Sequence, residues 1–315
     1  MSSYNKASFI AEAINSVINQ SYVDWELIII DDDSKDHSKE IIESIATKHN
    51  KIKPFYNSEN KGANYSRNFA LSKAVGDFII FLDADDLLIN DCLQNRVKEM
   101  NANSKYDFCV FTMGSFNFKI GDDQRIWKPT SKNTLNDFLY HNLPWAIPQP
   151  IWKKDFLKSL GGFNEEYRRM QDVELHTRAL LKNGVLFNQV VDEPDCYYRI
   201  DEDRNDLEVF QFWLRRVEHT IKYVNNFQYL PVKNKKYLIG TIYETFVQIV
   251  LQFKIKNISE EDYFKLQKKL IHKSNFMNGS QIFIFSLSKF YNLNMPRIPG
   301  INKAIKKTLV LFSNF

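Results

Sequence analysis

No run of 18 or more apolar residues occurs in the 315-residue sequence, so no transmembrane helix is expected. The first 20 residues lack a charged segment followed by an apolar one, so they do not read as a secretory leader. Cysteine is scarce. Cys92, Cys109 and Cys196 show no C-x-x-C spacing and cannot all pair, which points to a reduced, cytoplasmic setting. There is no internal repeat and no low-complexity segment, which excludes solenoid and linker-like architectures.

What is present is an ordinary globular composition, 44% hydrophobic and 25% charged, with its charge unevenly placed. Residues 205–315 hold 17 Lys and Arg against 7 Asp and Glu, whereas residues 1–204 hold 25 against 31. The net charge is therefore about +10 after residue 204 and −6 before it. A basic tail suits an anionic surface.

The most informative stretch is Asp77–Asp86, DFIIFLDADD. Phe78 to Leu82 reads as a buried strand, and Asp83, Asp85 and Asp86 follow it at once. Three neighbouring carboxylates need a counter-charge, and a divalent cation is the simplest. A second strand, Trp25–Ile30, ends in Asp31, Asp32, Asp33 and Ser34. In open α/β sheets ligands bind at the carboxyl ends of strands. For Asp33 and Ser34, capping the helix that follows is an equal alternative.

Periodicity places helices at 8–20, 39–49, 63–74, 91–101, 154–160 and 172–183. Strands are expected at 52–56, 108–111 and 186–190. The alternation argues for an α/β domain with a doubly wound, mostly parallel sheet. Residues 115–150, with Pro129, Pro144, Pro148 and Pro150, read as irregular. After residue 204 the pattern becomes helical. The expected division is thus a domain over 1–204 and a basic, mainly helical C-terminal region over 205–315.

Several motifs, taken jointly, resemble family-2 glycosyltransferases of the GT-A fold across roughly residues 3–200. They are Ser3-Tyr4-Asn5-Lys6, Ser16–Tyr22, Trp25–Ser34, Asn60 and Gly62 through Arg67-Asn68, Gly76-Asp77, and Phe81–Asp86. Gly161–Glu165, Gln171–Leu175 and Tyr198-Arg199 complete the set. The resemblance implies inverting transfer of a sugar from a nucleotide-diphosphate sugar, a UDP-sugar being favoured, to an acceptor hydroxyl. The acceptor would be a glycan or a lipid-linked glycan in cell-surface polysaccharide or glycolipid assembly.

By the same resemblance Tyr4, Asp32, Arg67 and Asp83 would bind the nucleotide. Asp85, with Asp83, would hold Mg²⁺ or Mn²⁺, and Asp172 would be the catalytic base. Asp86 and Asp201 are secondary ligand candidates, and Glu165 and Glu174 weaker alternatives for the base. Gln211-Phe-Trp-Leu-Arg215 has the wrong spacing for a processive synthase, so a non-processive enzyme is expected.

The resemblance also places an apolar, central strand ahead of Tyr4, where this sequence begins Met1-Ser2-Ser3. A sheet lacking that strand motivates a second reading, a sugar-nucleotide-binding protein without turnover. A receiver-like signalling domain is excluded by the Gly161–Asp172 segment, which has no place there. The segment Lys303–Phe312 fits either an interfacial helix at the inner face of the membrane or docking on the protein's own core. No nucleic-acid motif is present.

Overall fold

The structure, a computed structural model, describes residues 1–200, 209–273, 285–289, 292–293 and 300–311. Asp201, Phe290, Tyr291 and Phe312 lie outside the described residues. The chain divides into two units, Met1–Lys132 with Pro144–Asp203, and Asn133–Leu143 with Arg204–Phe315. Residues 133–143 therefore group with the C-terminal unit rather than with the sequence that surrounds them.

In the first unit the apolar runs become strands closed by acidic turns. β1 (Ser2–Ser3), β2 (Leu27–Asp31) and β3 (Ile52–Tyr56) form a parallel three-stranded sheet. Every residue of β2 is buried, as its unbroken Leu-Ile-Ile-Ile run requires. α1 (Ile10–Ile18) buries Ile10, Ala13, Ile14 and Val17 on one stripe. Its first amides are met by the Lys6 carbonyl, which accepts from Phe9 N and Ile10 N at 2.9 Å. α2 (Ser38–Ala46) and α3 (Ala63–Lys73) complete this part.

β4 (Phe78–Ile80) leads into the acidic segment, and β5 (Leu87–Leu88) and α4 (Cys92–Ala102) follow it. β6 (Phe108–Val110) and β7 (Met113–Phe116) come next, then β8 (Ile126–Trp127). β9 (Pro150–Lys153) precedes α6 (Lys154–Ser159) and α7 (Gln171–Leu181), which are followed by β10 (Phe187–Gln189) and β11 (Cys196–Arg199). Two four-stranded sheets result, ordered β10-β6-β9-β4 and β5-β11-β7-β8.

The pairing is mixed. β1–β2, β2–β3, β6–β10 and β7–β11 are parallel. β9 runs antiparallel to both β4 and β6, and β5 and β8 are antiparallel edges. The mostly parallel expectation thus holds for half the pairings. Strand direction depends on connections that an apolar run does not encode.

A buried ion pair fastens α4 to the start of β11. Arg96 donates to both Asp195 carboxylate oxygens at 2.7 and 2.6 Å and to Pro148 O at 2.7 Å. Phe108, Trp145, Trp152 and Phe187 pack as an aromatic core, and His176 of α7 stacks on Trp152 at 5.7 Å.

The residues ahead of Tyr4 form a short strand of the sheet. Met1–Ser3 stands beside β2: Ile30 N donates to Met1 O at 3.0 Å and Asp32 N to Ser3 O at 2.8 Å. Ser2 also bridges to Asp83, in parallel sense. Below Met1 the two sheets do not meet. A cavity of about 670 Å³ is lined there by Met1, Leu27, Ile28, Phe78, Ile80 and Leu82 among others.

In the second unit α5 (Thr134–Leu139) joins α8 (Val209–Phe227), α9 (Val232–Lys235), a 3-10 turn at Lys236–Leu238, α10 (Ile239–Lys254) and α11 (Glu260–Lys273). α10 is the apolar segment of the tail. Ile239, Ile242, Phe246, Ile249 and Val250 are each at most 1% exposed, which makes it a core helix. The final helix, Ile301–Leu311, turns Leu309 and Lys306 inward, and the Tyr243 hydroxyl donates to Asn302 at 2.8 Å. That is the docking alternative for this segment. Lys303 and Lys307 stay exposed.

Candidate active site at the acidic strand ends

The carboxyl ends of β2 and β4 carry the acidic residues, and each carboxylate has its own partner. Asp31 takes the Ser34 hydroxyl at 2.6 Å and Ser34 N at 2.9 Å. Asp32 is buried. Its oxygens accept from Asn57 Nδ2 at 2.7 Å, Lys61 N at 2.9 Å and Gly62 N at 2.7 Å, so it holds the turn at 57–62 in place. Gly62 has φ +91°, and a Cβ there would collide with Arg168. Asp33 sits at φ +65° and pairs with Lys35. Ser34 also accepts Asn5 N at 2.9 Å, so neither residue caps α2; Asp36 meets Ser38 N at 3.0 Å instead.

After β4 the three carboxylates diverge. Asp83, about a third exposed, receives Arg67 Nη2 at 2.7 Å. Asp85 receives Lys6 Nζ at 2.5 Å. Asp86 points into the core and accepts Arg199 N at 3.0 Å. Burial first, and then the charges of Asp83 and Asp85, raise its carboxyl well above the usual carboxylate range. Arg199 fastens this turn from below. Its Nε donates to Asp85 O at 3.0 Å, its Nη2 pairs with Glu12, and its guanidinium lies 4.2 Å from the Phe116 ring centre.

α3 connects this edge to α7. Arg67, only 5% exposed, donates to Asp83 with one terminal nitrogen and to Gln171 Oε1 with the other at 3.0 Å. Asn64 donates to Asn164 O and Tyr167 O at 2.8 and 3.0 Å. Asn68 both accepts Phe163 N and donates to Phe163 O. The motifs around Asn60–Asn68 and Gly161–Asp172 are thus two sides of one contact. A Cβ on Gly162, at φ +68°, would meet Asn68 Oδ1 at 2.4 Å.

Asp172 lies in the first turn of α7, half-buried, beside the Gln171 that Arg67 holds. Met170, in the left-handed conformation, turns the chain into the helix. Glu174 is committed elsewhere, paired with Arg178 at 2.6 Å, and Glu165 accepts from Asn68 at 2.8 Å. Tyr4 is 44% exposed at the end of β1, so it is not a core aromatic.

The structure therefore brings together Asp83, Arg67 and the Asp172 turn, and sets Lys6 of the N-terminal turn against Asp85 of the same acidic segment. It turns Asp86 away from solvent, which removes it from direct ligation as placed. Sequence reasoning assigned no role to Lys6 or to the Arg67–Gln171 contact. A lone cation in the Tyr4–Lys6 turn was the only signal for the first. The second depends on residues 104 positions apart.

Among the described residues no group of three or more His, Cys, Asp or Glu is placed to hold a metal. The protein thus offers the hard oxygens of Asp85 and Asp83, each carboxylate already paired with a cationic side chain, Lys6 and Arg67. Such a pair suits Mg²⁺ or Mn²⁺ when phosphate and water oxygens complete the shell.

The chain is similar to several known proteins. The profile of the family described as "Glycosyl transferase family 2" matches residues 1–157. An uncharacterized glycosyltransferase of Haemophilus influenzae is 42% identical over 115 residues, 36% of this chain and 44% of that protein. The Escherichia coli protein WfgD, named UDP-Glc:alpha-D-GlcNAc-diphosphoundecaprenol beta-1,3-glucosyltransferase, is 39% identical over 104 residues, 33% of this chain and 40% of that protein. The aligned part is thus less than half of either relative. The crystal structure of S. aureus TarS residues 1–349 with UDP-GlcNAc superposes with TM-score 0.67 at 20% identity, covering 98% of this chain and 89% of that one.

Fold and acidic edge together define a GT-A-like α/β unit accompanied by a helical C-terminal region. Residues 1–157 carry a glycosyl transferase family 2 domain.

Proposed function

We propose that this chain transfers a sugar, with inversion, from a nucleotide-diphosphate sugar to an acceptor hydroxyl. The observation that carries the reading is Arg67, which joins the acidic strand end at Asp83 to the helix start bearing Asp172. A donor-holding edge and a candidate base are thereby tied to one buried side chain.

In the proposed reaction the acceptor oxygen attacks the anomeric carbon from the face opposite the leaving group. The bond from that carbon to the diphosphate oxygen breaks, and its electron pair leaves with the diphosphate. The acceptor's hydroxyl proton goes to the Asp172 carboxylate. Tyr4, exposed at the end of β1, lies along the nucleobase, and Asp32 positions the turn at 57–62 beside it. Arg67 holds Asp83 in register for the ribose. Asp85, with Asp83, would bind Mg²⁺ or Mn²⁺, which when bound supplies Lewis-acid stabilisation to the diphosphate.

The donor is a UDP-sugar in this reading, supported by the TarS complex with UDP-GlcNAc and by the UDP-Glc in the WfgD name. The acceptor is a glycan or lipid-linked glycan of cell-surface polysaccharide assembly, in line with the diphosphoundecaprenol-linked acceptor in that name. No helix among the described residues is long and apolar enough to cross a membrane. Contact with an anionic membrane face would come from exposed lysines of the tail. A second reading is nucleotide-sugar binding without turnover.

The test is UDP release from a panel of UDP-sugars with Mn²⁺, with excess EDTA, and in Asp85→Asn. Metal-dependent release that Asp85→Asn abolishes is expected. Tight UDP·Mn²⁺ binding with no release from any sugar or acceptor supports the second reading instead.

A further inference from the structure

Lys6 is a site residue that the transfer mechanism does not use. Its ammonium lies 2.5 Å from Asp85 Oδ2, with the two side chains 27% and 18% exposed. The backbone that carries it is pinned. Asn5 N donates to Ser34 Oγ, Lys6 N to Ser38 Oγ at 2.8 Å and Ala7 N to Asp36 at 2.9 Å, while Lys35 N donates back to Asn5 Oδ1. Asn5 takes up a left-handed conformation, φ 50°, to make this turn. The stem of Lys6 is therefore launched from a fixed point toward Asp85, as a side chain on a loose loop would not be.

The charges explain why it is needed. Asp83 is answered by Arg67, and Asp86 is withdrawn into the core onto Arg199 N. Asp85 is the remaining carboxylate of the segment, and Lys6 answers it. A lysine is a compact charge on a flexible four-carbon stem, able to leave one oxygen for another nearby at little cost.

We propose that Lys6 is a resident counter-cation of the metal carboxylate. It neutralises Asp85 in the donor-free protein and yields that place when a divalent cation arrives with the diphosphate. The proposal rests on the metal assignment of the preceding section. Its consequence is ordered loading: free metal competes poorly with Lys6, whereas metal accompanied by diphosphate oxygens displaces it. The ammonium freed in this way can turn to the diphosphate.

The test is Mn²⁺ binding, read by the electron paramagnetic resonance signal of free Mn²⁺ and by calorimetry. Wild type, Lys6→Met, Lys6→Arg and Asp85→Asn are compared with and without UDP, with thermal melts to show that each is folded. Without UDP, Lys6→Met should bind Mn²⁺ about tenfold or more tightly than wild type, because a partly exposed opposing charge is gone. Lys6→Arg should stay near wild type, and UDP should raise wild-type Mn²⁺ affinity more than that of Lys6→Met.

Equal or weaker Mn²⁺ binding by Lys6→Met would overturn the proposal. If Asp85→Asn then still abolishes Mn²⁺·UDP binding, the metal assignment stands and only the role of Lys6 falls. If Asp85→Asn keeps that binding, the metal assignment itself is wrong.

Discussion

Asp32 shows how a residue chosen for one role can be occupied by another. The resemblance makes it a base-binding carboxylate, and in the structure three donors of the 57–62 turn already sit on it. Its first duty is to shape the floor on which a base would lie. Replacing it with Ala leaves those buried donors unmet, so Asp32→Ala should cost about 2–4 kcal/mol in denaturant unfolding and also weaken UDP binding. A variant as stable as wild type would show that the turn does not need it. The acidic residues themselves were legible in the sequence, because carboxylates that end apolar runs must find counter-charges. What those counter-charges are was not. Arg67, Lys6 and Arg199 come from distant positions, and only the folded chain brings each of them to its carboxylate.

Among elements, α7 carries both the candidate base and a buried histidine. Burial against Trp145 and Trp152 pushes the His176 imidazole down to about 3. The folded protein keeps this ring neutral while the unfolded chain protonates it below about 6.5. The unfolded state thus binds more protons between those values, and stability falls as pH drops through that window. The contribution is complete above pH 6.5 and shrinks by about 1.4 kcal/mol per pH unit below 6. In His176→Phe that part of the acid slope should vanish. Unfolding free energies of the two proteins measured from pH 7 to pH 5 check this, and parallel curves would refute it. The elements best read from sequence were those with strong periods or unbroken apolar runs, such as α1 and β2. β7 went unread because Met-Gly-Ser-Phe has neither pattern and is buried through its neighbours on both sides. β9 begins at Pro150, inside a stretch whose prolines suggested irregular structure.

At the scale of the whole molecule, the acidic N-terminal part and the basic tail suggest a division of labour between donor and surface. The last helix spends Leu309 and Lys306 on its own unit and leaves Lys303 and Lys307 outside. The double variant Lys303→Glu, Lys307→Glu should therefore remain folded and bind anionic phospholipid vesicles more weakly, with the wild-type binding lost at high salt. Unchanged vesicle binding would remove these lysines from any membrane contact. The central claim, that Asp172 removes the acceptor proton at a nucleotide-sugar site, is tested most directly by Asp172→Asn. The quantity to measure is kcat for sugar transfer at saturating UDP-sugar, acceptor and Mn²⁺, beside the UDP·Mn²⁺ dissociation constant. The account predicts a fall in kcat of about 10²–10⁴-fold, as for loss of a general base, with UDP·Mn²⁺ affinity unchanged. A kcat within a few-fold of wild type would contradict it.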